Sequence, residues 1–334
     1  MCGIVALIGS REVSPLIIEG LKKLEYRGYD SAGLATIQAT ENKSKIGQIT
    51  LRRAKGKLIN LSELVDSKGA EGHLGIGHTR WATHGKAEVH NAHPHLDSEQ
   101  EIAVVQNGII ENHRSLRNGL ENEGVKFLSE TDTEVIPHLI ARELRTFKKK
   151  EENLNGSHLL KAVQNVLSLL EGSYALAVIC TKIPDALVVA KHQAPLIIGL
   201  GEGEFLCASD TPALAGFTRA ILPMEDEEVA LLTPLGIELY DSKGIRQNRS
   251  PVISKSFEHE IDRSHFRHFM LKEIHEQPET TELWIAKHLS NDFPNQSPVA
   301  LPFEESFYKD INQIQILACG TSRHASMVGA YLLE

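Results

Sequence analysis

Met1-Cys2-Gly3-Ile4-Val5-Ala6-Leu7-Ile8-Gly9-Ser10 opens the chain. Cys2 follows the initiator directly and is small enough for Met1 to be removed, which leaves a residue carrying both a thiol and a free α-amine. An α-amine has a reference pKa of about 8, against about 10.4 for a lysine, so part of it is a neutral base at neutral pH. It can take the thiol proton, directly or through a water, as the N-terminal amine does in threonine-nucleophile enzymes. Behind it, the apolar run from Gly3 to Gly9 is bounded by glycines and predicts a buried strand. A nucleophile at the tip of a core strand is held firmly. The same ten residues also describe an ordinary first strand with a chance cysteine, and motifs further along decide between the two.

Moving outward, Ser14-Pro15 reads as a helix cap followed by proline at the first helical position. Ile17, Leu21 and Leu24 recur at helical spacing, and Gly28 ends that helix. Strands are expected over 31–37 and 45–53, joined by a polar turn at 41–43, then a short helix over 58–65 and strands over 73–79 and 102–105. Helices follow over 112–123, 132–147 (capped by Thr131 or Asp132) and 158–170. From 173 to 240 the pattern returns to short strands: 174–180, 186–190, 196–200, 205–208 and 229–232. Strands, then helices, then strands again is not the alternation of a parallel sheet. It predicts an α+β fold with helices layered on antiparallel sheets.

The composition, 41% hydrophobic and 24% charged over 334 residues, is that of a globular protein with room for more than one domain. A net charge of -9 and the lack of a long basic block argue against nucleic acid as a partner. Lys148-Lys149-Lys150-Glu151-Glu152 reads as a solvated stretch between helices. No basic n-region opens the chain, and no run approaches the ~18 apolar residues of a membrane helix, so no membrane partner is expected. The four cysteines, Cys2, Cys180, Cys207 and Cys319, show no paired spacing; Cys180 and Cys207 lie in apolar runs as small hydrophobes. A disulfide framework is not expected, and a reducing cytoplasm fits best.

Residues 241–251 are rich in charged and turn-forming types and predict a linker between a domain over 2–240 and a second over 252–334. The second opens with polar helices (257–275, 280–289) and a proline-marked loop from Pro294 to Pro302. Ile314-Gln315-Ile316-Leu317-Ala318 reads as a strand, Cys319-Gly320-Thr321-Ser322 as a turn, and 325–333 as a helix. One strand and one helix cannot bury a core, so this domain is expected to be incomplete.

Four further stretches carry chemistry: Tyr26-Arg27-Gly28-Tyr29-Asp30, His78-Thr79-Arg80-Trp81-Ala82-Thr83-His84-Gly85, Asn107-Gly108-Ile109-Ile110-Glu111-Asn112, and Thr131-Asp132-Thr133-Glu134. With Met1-Cys2-Gly3, in this order, they resemble the glutamine amidotransferases that use an N-terminal cysteine nucleophile. The Tyr26–Asp30 form resembles the branch that converts fructose 6-phosphate to glucosamine 6-phosphate, the first step of hexosamine synthesis. Leu271-Lys272-Glu273-Ile274-His275-Glu276-Gln277-Pro278 also resembles that branch.

The resemblance implies a four-layer αββα sandwich of the N-terminal-nucleophile (Ntn) hydrolase type, followed by the truncated start of an α/β sugar-isomerase (SIS) domain. It implies Cys2 as nucleophile, with the Asn107 side-chain amide and the Gly108 N–H stabilising the oxyanion. Arg80 would take the α-carboxylate of L-glutamine, which suits its planar fork, and Asp132 the α-ammonium. Residues 80–88 would close over glutamine, with Thr83 and His84 in contact and Trp81 gating the passage of ammonia. Thr321 and Ser322 would touch the sugar phosphate. No cofactor is implied, and the intact enzyme would be a homodimer through the second domain. The run His78, His84, His90, His93, His95 matches no familiar zinc spacing, and no metal is expected.

Three positions depart from the family pattern. Gln106 stands in place of a histidine, Lys86-Ala87 where a proline is common, and Arg323 in place of an aromatic. The chain is expected to retain glutaminase activity alone. A different N-terminal-cysteine amidotransferase, or a catalytically silent glutamine-sensing module, remains open on sequence.

Overall fold

The computed structural model describes residues 2–38, 47–148, 153–254, 265–288, 305–309 and 311–333. The turn at 41–43, Met1, most of the Lys148–Glu152 stretch and the Pro294–Pro302 loop lie outside them. The chain divides into two compact units, Met1–Ile261 and Asp262–Glu334.

The first unit runs β1 (Gly3–Ile8), α1 (Ser14–Leu24), β2 (Ser31–Gln38), β3 (Gln48–Lys55), α2 (Leu58–Lys68), β4 (Leu74–Arg80), β5 (His95–Leu96) and β6 (Ile102–Ile110). Helices α3 (His113–Asn122), α4 (Val135–Lys148) and α5 (Gly156–Leu167) follow. Then come β7 (Gly172–Cys180), β8 (Ile183–His192), β9 (Ile197–Leu200), β10 (Phe205–Ala208), β11 (Ala220–Pro223), β12 (Val229–Thr233), β13 (Gly236–Tyr240), β14 (Arg246–Gln247) and β15 (Val252–Ile253). One sheet has the order β15-β11-β9-β10-β1-β4-β2-β3, the other β14-β13-β12-β8-β7-β6-β5. Every paired strand is antiparallel to its neighbour.

Period-two alternation builds the layers. On β1, Ile4, Ala6 and Ile8 face the second sheet and meet Ala175, Ala177 and Ile179 of β7 in the central core. Val5 and Leu7 point the other way, onto Ile17, Leu21 and Leu24 of α1. Val104 of β6 and Leu176 and Val178 of β7 turn outward onto Leu139 and Ile140 of α4 and Leu159 and Val163 of α5. Each such buried aliphatic side chain is worth about 1.5–3 kcal/mol over its exposed state. The result is the expected αββα sandwich.

Several local readings shift. Ser14 is inside α1, and Val13 occupies the cap position without a side-chain bond. Strand β6 extends to Ile110, so Asn107 and Gly108 lie within a strand instead of after one. Helix α4 begins at Val135, and Asp132, read as a possible cap, accepts the Ile110 N–H. Residues 241–251, read as a linker, are partly built into the sandwich, since β14 pairs with β13, and β15 just beyond pairs with β11.

The second unit contains α6 (Phe269–His288), α7 (Glu305–Lys309) and α8 (Gly320–Leu333). Helix α6 continues through Pro278, where two helices were expected. The strand read at 314–318 is not formed: residues 311–319 are exposed and irregular, and among the described residues of this unit no strand offers its backbone a partner. No described helix is long and apolar enough to cross a membrane.

Candidate active site

Strand register brings the motifs to one end of the first sheet. Gly3 lies opposite Thr79 in the β1–β4 pair, and Ser31 opposite Arg80 in the β2–β4 pair. The residues just before β1, just before β2 and just after β4 are therefore neighbours. At that end lies a cleft of 420 Å³, whose wall includes Cys2, Arg80, Trp81, Asn107, Gly108 and Asp132, with Thr83, His84 and Arg27 around them. All the site residues read from the sequence between Cys2 and Asp132 thus meet at one place. Thr321 and Ser322 are exposed in the first turn of α8, and the strand-to-helix turn expected to seat a phosphate is not formed.

The Cys2 sulfur accepts the Trp81 backbone N–H at 3.2 Å and lies 3.5 Å from the Trp81 carbonyl oxygen. Burial raises the thiol pKa; the Trp81 N–H and the charges of Arg80 and Arg27 pull the other way without overcoming it. The resting group is then a thiol, and attack on a carbonyl requires a base to take its proton.

The Tyr26–Asp30 motif fixes the segment that holds this sulfur. Gly28 is packed so closely on the Arg80–Trp81 peptide that a Cβ there would stand 2.7 Å from the Arg80 carbonyl carbon. Asp30 accepts the Ala82 N–H at 2.8 Å, and its own N–H bonds the Arg80 carbonyl. Tyr29 meets Trp81 edge-on, with ring centroids 5.6 Å apart. Arg27 pairs with Asp210 at 2.5 Å, and Tyr26 bonds the same carboxylate oxygen. Asp30 was legible within its motif. Asp210 was not, since its partner is 183 residues away.

Asn107 donates from Nδ2 to the Cys2 carbonyl at 3.0 Å, and its Oδ1 lies 3.0 Å from His78 Nε2. A primary amide has two N–H donors, so the second can serve an oxyanion. Gly108, at φ +112°, occupies a conformation reserved in practice for glycine, and a Cβ would stand 2.1 Å from the Ser173 oxygen. Asp132 is buried with its Oδ1 4.0 Å from His84 Nδ1, and the His84 ring meets that of His113 edge-on.

Arg80 presents a finding the sequence did not. Its guanidinium donates to the backbone carbonyls of His84, Gly85 and Lys86, which folds the 84–86 turn back onto the end of β4. Lys86 N–H also bonds Glu130, a bond that a proline at this position could not make.

Gln106 is buried and fully woven in at one end. Its N–H donates to His93 Nδ1, and its Oε1 accepts from Thr133 Oγ1 at 2.7 Å, which in turn faces His93 Nε2. This chain of bonds assigns His93 a proton on Nε2 only. His93 stacks on His78 at 4.2 Å and meets His95 edge-on at 4.8 Å. Among the described residues no three histidine, cysteine or acidic side chains are arranged to hold a metal.

Burial pushes His78 and His95 down to about 3 and lowers His93 well below the ordinary histidine range. Their folded pKa values lie below the unfolded value of about 6.5, so below that pH the unfolded chain binds more protons. The stability they allow is complete above about pH 6.5 and is lost as pH falls toward 3, by up to about 1.4 kcal/mol per histidine per pH unit. Urea midpoints measured at pH 7, 6 and 5 are expected to fall steeply; equal midpoints would contradict three neutral buried histidines. Cys180 and Cys207 are buried free thiols raised by burial, inert by the same argument.

Comparison with known proteins agrees with this geometry. Residues 78–216 match a family described as a glutamine amidotransferase domain. Over its full length the chain is 50% identical to glutamine–fructose-6-phosphate aminotransferase (isomerizing) of Nostoc sp., covering 52% of that protein. It is 42% identical to the Aquifex aeolicus enzyme of the same name, again over 52% of its length. The glutamine phosphoribosylpyrophosphate amidotransferase of B. subtilis superposes with a TM-score of 0.58 at 25% identity, over 72% of this chain and 49% of that one. The chain spans about half the length of the curated relatives it matches. A glutamine amidotransferase domain thus matches the part of the αββα sandwich that carries most of the cleft, and the chain as a whole is similar to about half of each glutamine–fructose-6-phosphate aminotransferase it matches.

Proposed function

We propose that the first unit hydrolyses L-glutamine, and that in the longer protein the ammonia goes to fructose 6-phosphate to give glucosamine 6-phosphate. The α-amine of Cys2, freed by removal of Met1, takes the thiol proton. The sulfur forms a bond to the glutamine amide carbon, and the oxygen carries the charge between the Asn107 amide and the Gly108 N–H. The C–N bond breaks, the leaving nitrogen collects the proton, and ammonia departs. Water then attacks the thioester carbon and releases glutamate and the cysteine sulfur. Arg80 and Asp132 hold the two charged ends of the amino acid, Thr83 and His84 flank it, and Trp81 shields the exit.

The observation that carries this reading is the meeting of Cys2 with Asn107 in the cleft, where the Asn107 amide donates to the Cys2 backbone carbonyl at 3.0 Å. The first unit, which includes β14 and β15 in its sheets, is the glutaminase, and the second unit begins a sugar-isomerase domain in which Thr321 and Ser322 would meet the sugar phosphate once the longer protein completes it. The intact enzyme is a cytoplasmic homodimer. Incubating the chain with glutamine and fructose 6-phosphate is expected to yield glutamate and ammonia in equal amounts and no glucosamine 6-phosphate. The reason is that the described part of the second unit forms no strand-to-helix seat for the phosphate. Failure to release glutamate would leave a glutamine-sensing module; stoichiometric amino sugar would overturn the division of labour.

A further inference from the structure

We infer that His78 is a positioning residue for the reaction at Cys2: its Nε2–H holds the Asn107 amide with the nitrogen end turned toward the cysteine. The inference rests on the glutaminase reading above and adds a residue to it. The two ends of an asparagine amide have nearly the same shape, so their hydrogen-bond partners decide which end faces the reacting atoms. Here Nδ2 is 3.0 Å from the Cys2 carbonyl oxygen, and Oδ1 is 3.0 Å from His78 Nε2. Only a ring protonated at Nε2 suits that oxygen.

The fold holds the ring in that role. His78 sits in β4 with no exposed surface, opposite Ile4 of β1 and Gly33 of β2. It is stacked on His93 at an interplanar angle of 20°, and His93 is itself fixed by Gln106 and Thr133. The ring also meets the Gln106 backbone, and the one side chain that Nε2 hydrogen-bonds is that of Asn107. Burial keeps the ring neutral at working pH. An apolar side chain here leaves Asn107 Oδ1 buried without a donor and frees the amide to rotate, which withdraws the oxyanion donor for part of the time.

The test compares the full parent chain with His78→Gln and His78→Met. The glutamine side chain can place an N–H where the Nε2–H was; methionine fills the space without a donor. Two rates are measured on each: glutamine hydrolysis, and alkylation of Cys2 by iodoacetamide. In the alkylation the sulfur displaces iodide from a saturated carbon, and no oxyanion forms. Loss of a whole oxyanion donor costs about 10²–10³ in kcat, so partial misplacement in His78→Met is expected to lower kcat about 10- to 100-fold. KM should stay within about threefold and the alkylation rate should be unchanged, while His78→Gln keeps most of the parent kcat. The inference is overturned if His78→Met keeps kcat within about threefold, if His78→Gln is equally impaired, or if alkylation slows in parallel, which would mean a loosened site. A parent chain that releases no glutamate overturns the glutaminase reading and this inference with it; an active parent with an indifferent His78→Met overturns this one alone.

Discussion

Cys2→Ala is expected to lower glutamine hydrolysis by about 10⁴-fold or more while the fold persists. The size follows from what a missing nucleophile costs when only binding and oxyanion donors remain. The fold should persist because the sulfur is not part of the core: it touches the Trp81 backbone at 3.2 and 3.5 Å at the border of an open cleft. The strand behind it is anchored independently, by six paired positions with β4 and by Ile4, whose N–H bonds Ser209 Oγ and whose carbonyl accepts from the Ser209 N–H. A thermal melt within a few degrees of the parent, with glutamate release at background, is the expected pair of results. Residual activity within tenfold of the parent would remove Cys2 from the reaction. Cys2→Ser separates nucleophile from shape: the hydroxyl fits the same place but is a far weaker acid, so activity should stay near that of the alanine variant.

How much of this was legible in the sequence depends on how far each cause reaches along the chain. Strands β1, β2, β4 and β7 announced themselves because their alternation is buried on both faces, and helices α1 and α5 because their apolar spacing repeats over three turns. Strands β14 and β15 are two residues each, defined by what they pair with, and 241–251 could pass for a linker until β13 and β11 were beside it. The 314–318 stretch shows the opposite failure. It has the composition of a strand, but pairing requires a neighbour, and none is formed among the described residues.

The site divides in the same way. Residues expected to touch substrate were read from motifs, and one cleft collects those between Cys2 and Asp132. Residues that hold those in place were not: Asp210 is known only by its pairing with Arg27, and His78 only by the amide it faces. Gln106, a departure on sequence, is explained by Thr133, whose hydroxyl donates to it.

Arg80→Lys is expected to raise KM for glutamine by about 10²-fold, and the structure makes this a test between two roles. In the first, the guanidinium offers a planar pair of N–H groups to the substrate carboxylate, which a lysine ammonium cannot reproduce. In the second, Arg80 staples the 84–86 carbonyls to the end of β4 and so shapes the wall that carries Thr83 and His84. Arginine has five N–H donors, so one side chain can do both. The roles part when the substrate carboxylate is removed. With a glutamine analogue amidated at the α-carboxyl, the parent loses the bidentate contact, so a clamp predicts that parent and variant differ far less on the analogue than on glutamine. A staple acts on the loop whichever substrate is present and predicts the same ratio for both. If the ratio shrinks only partway, both roles are at work, and the remainder measures the staple. An identical ratio for the two substrates would take Arg80 off the carboxylate and leave it as the residue that folds the loop.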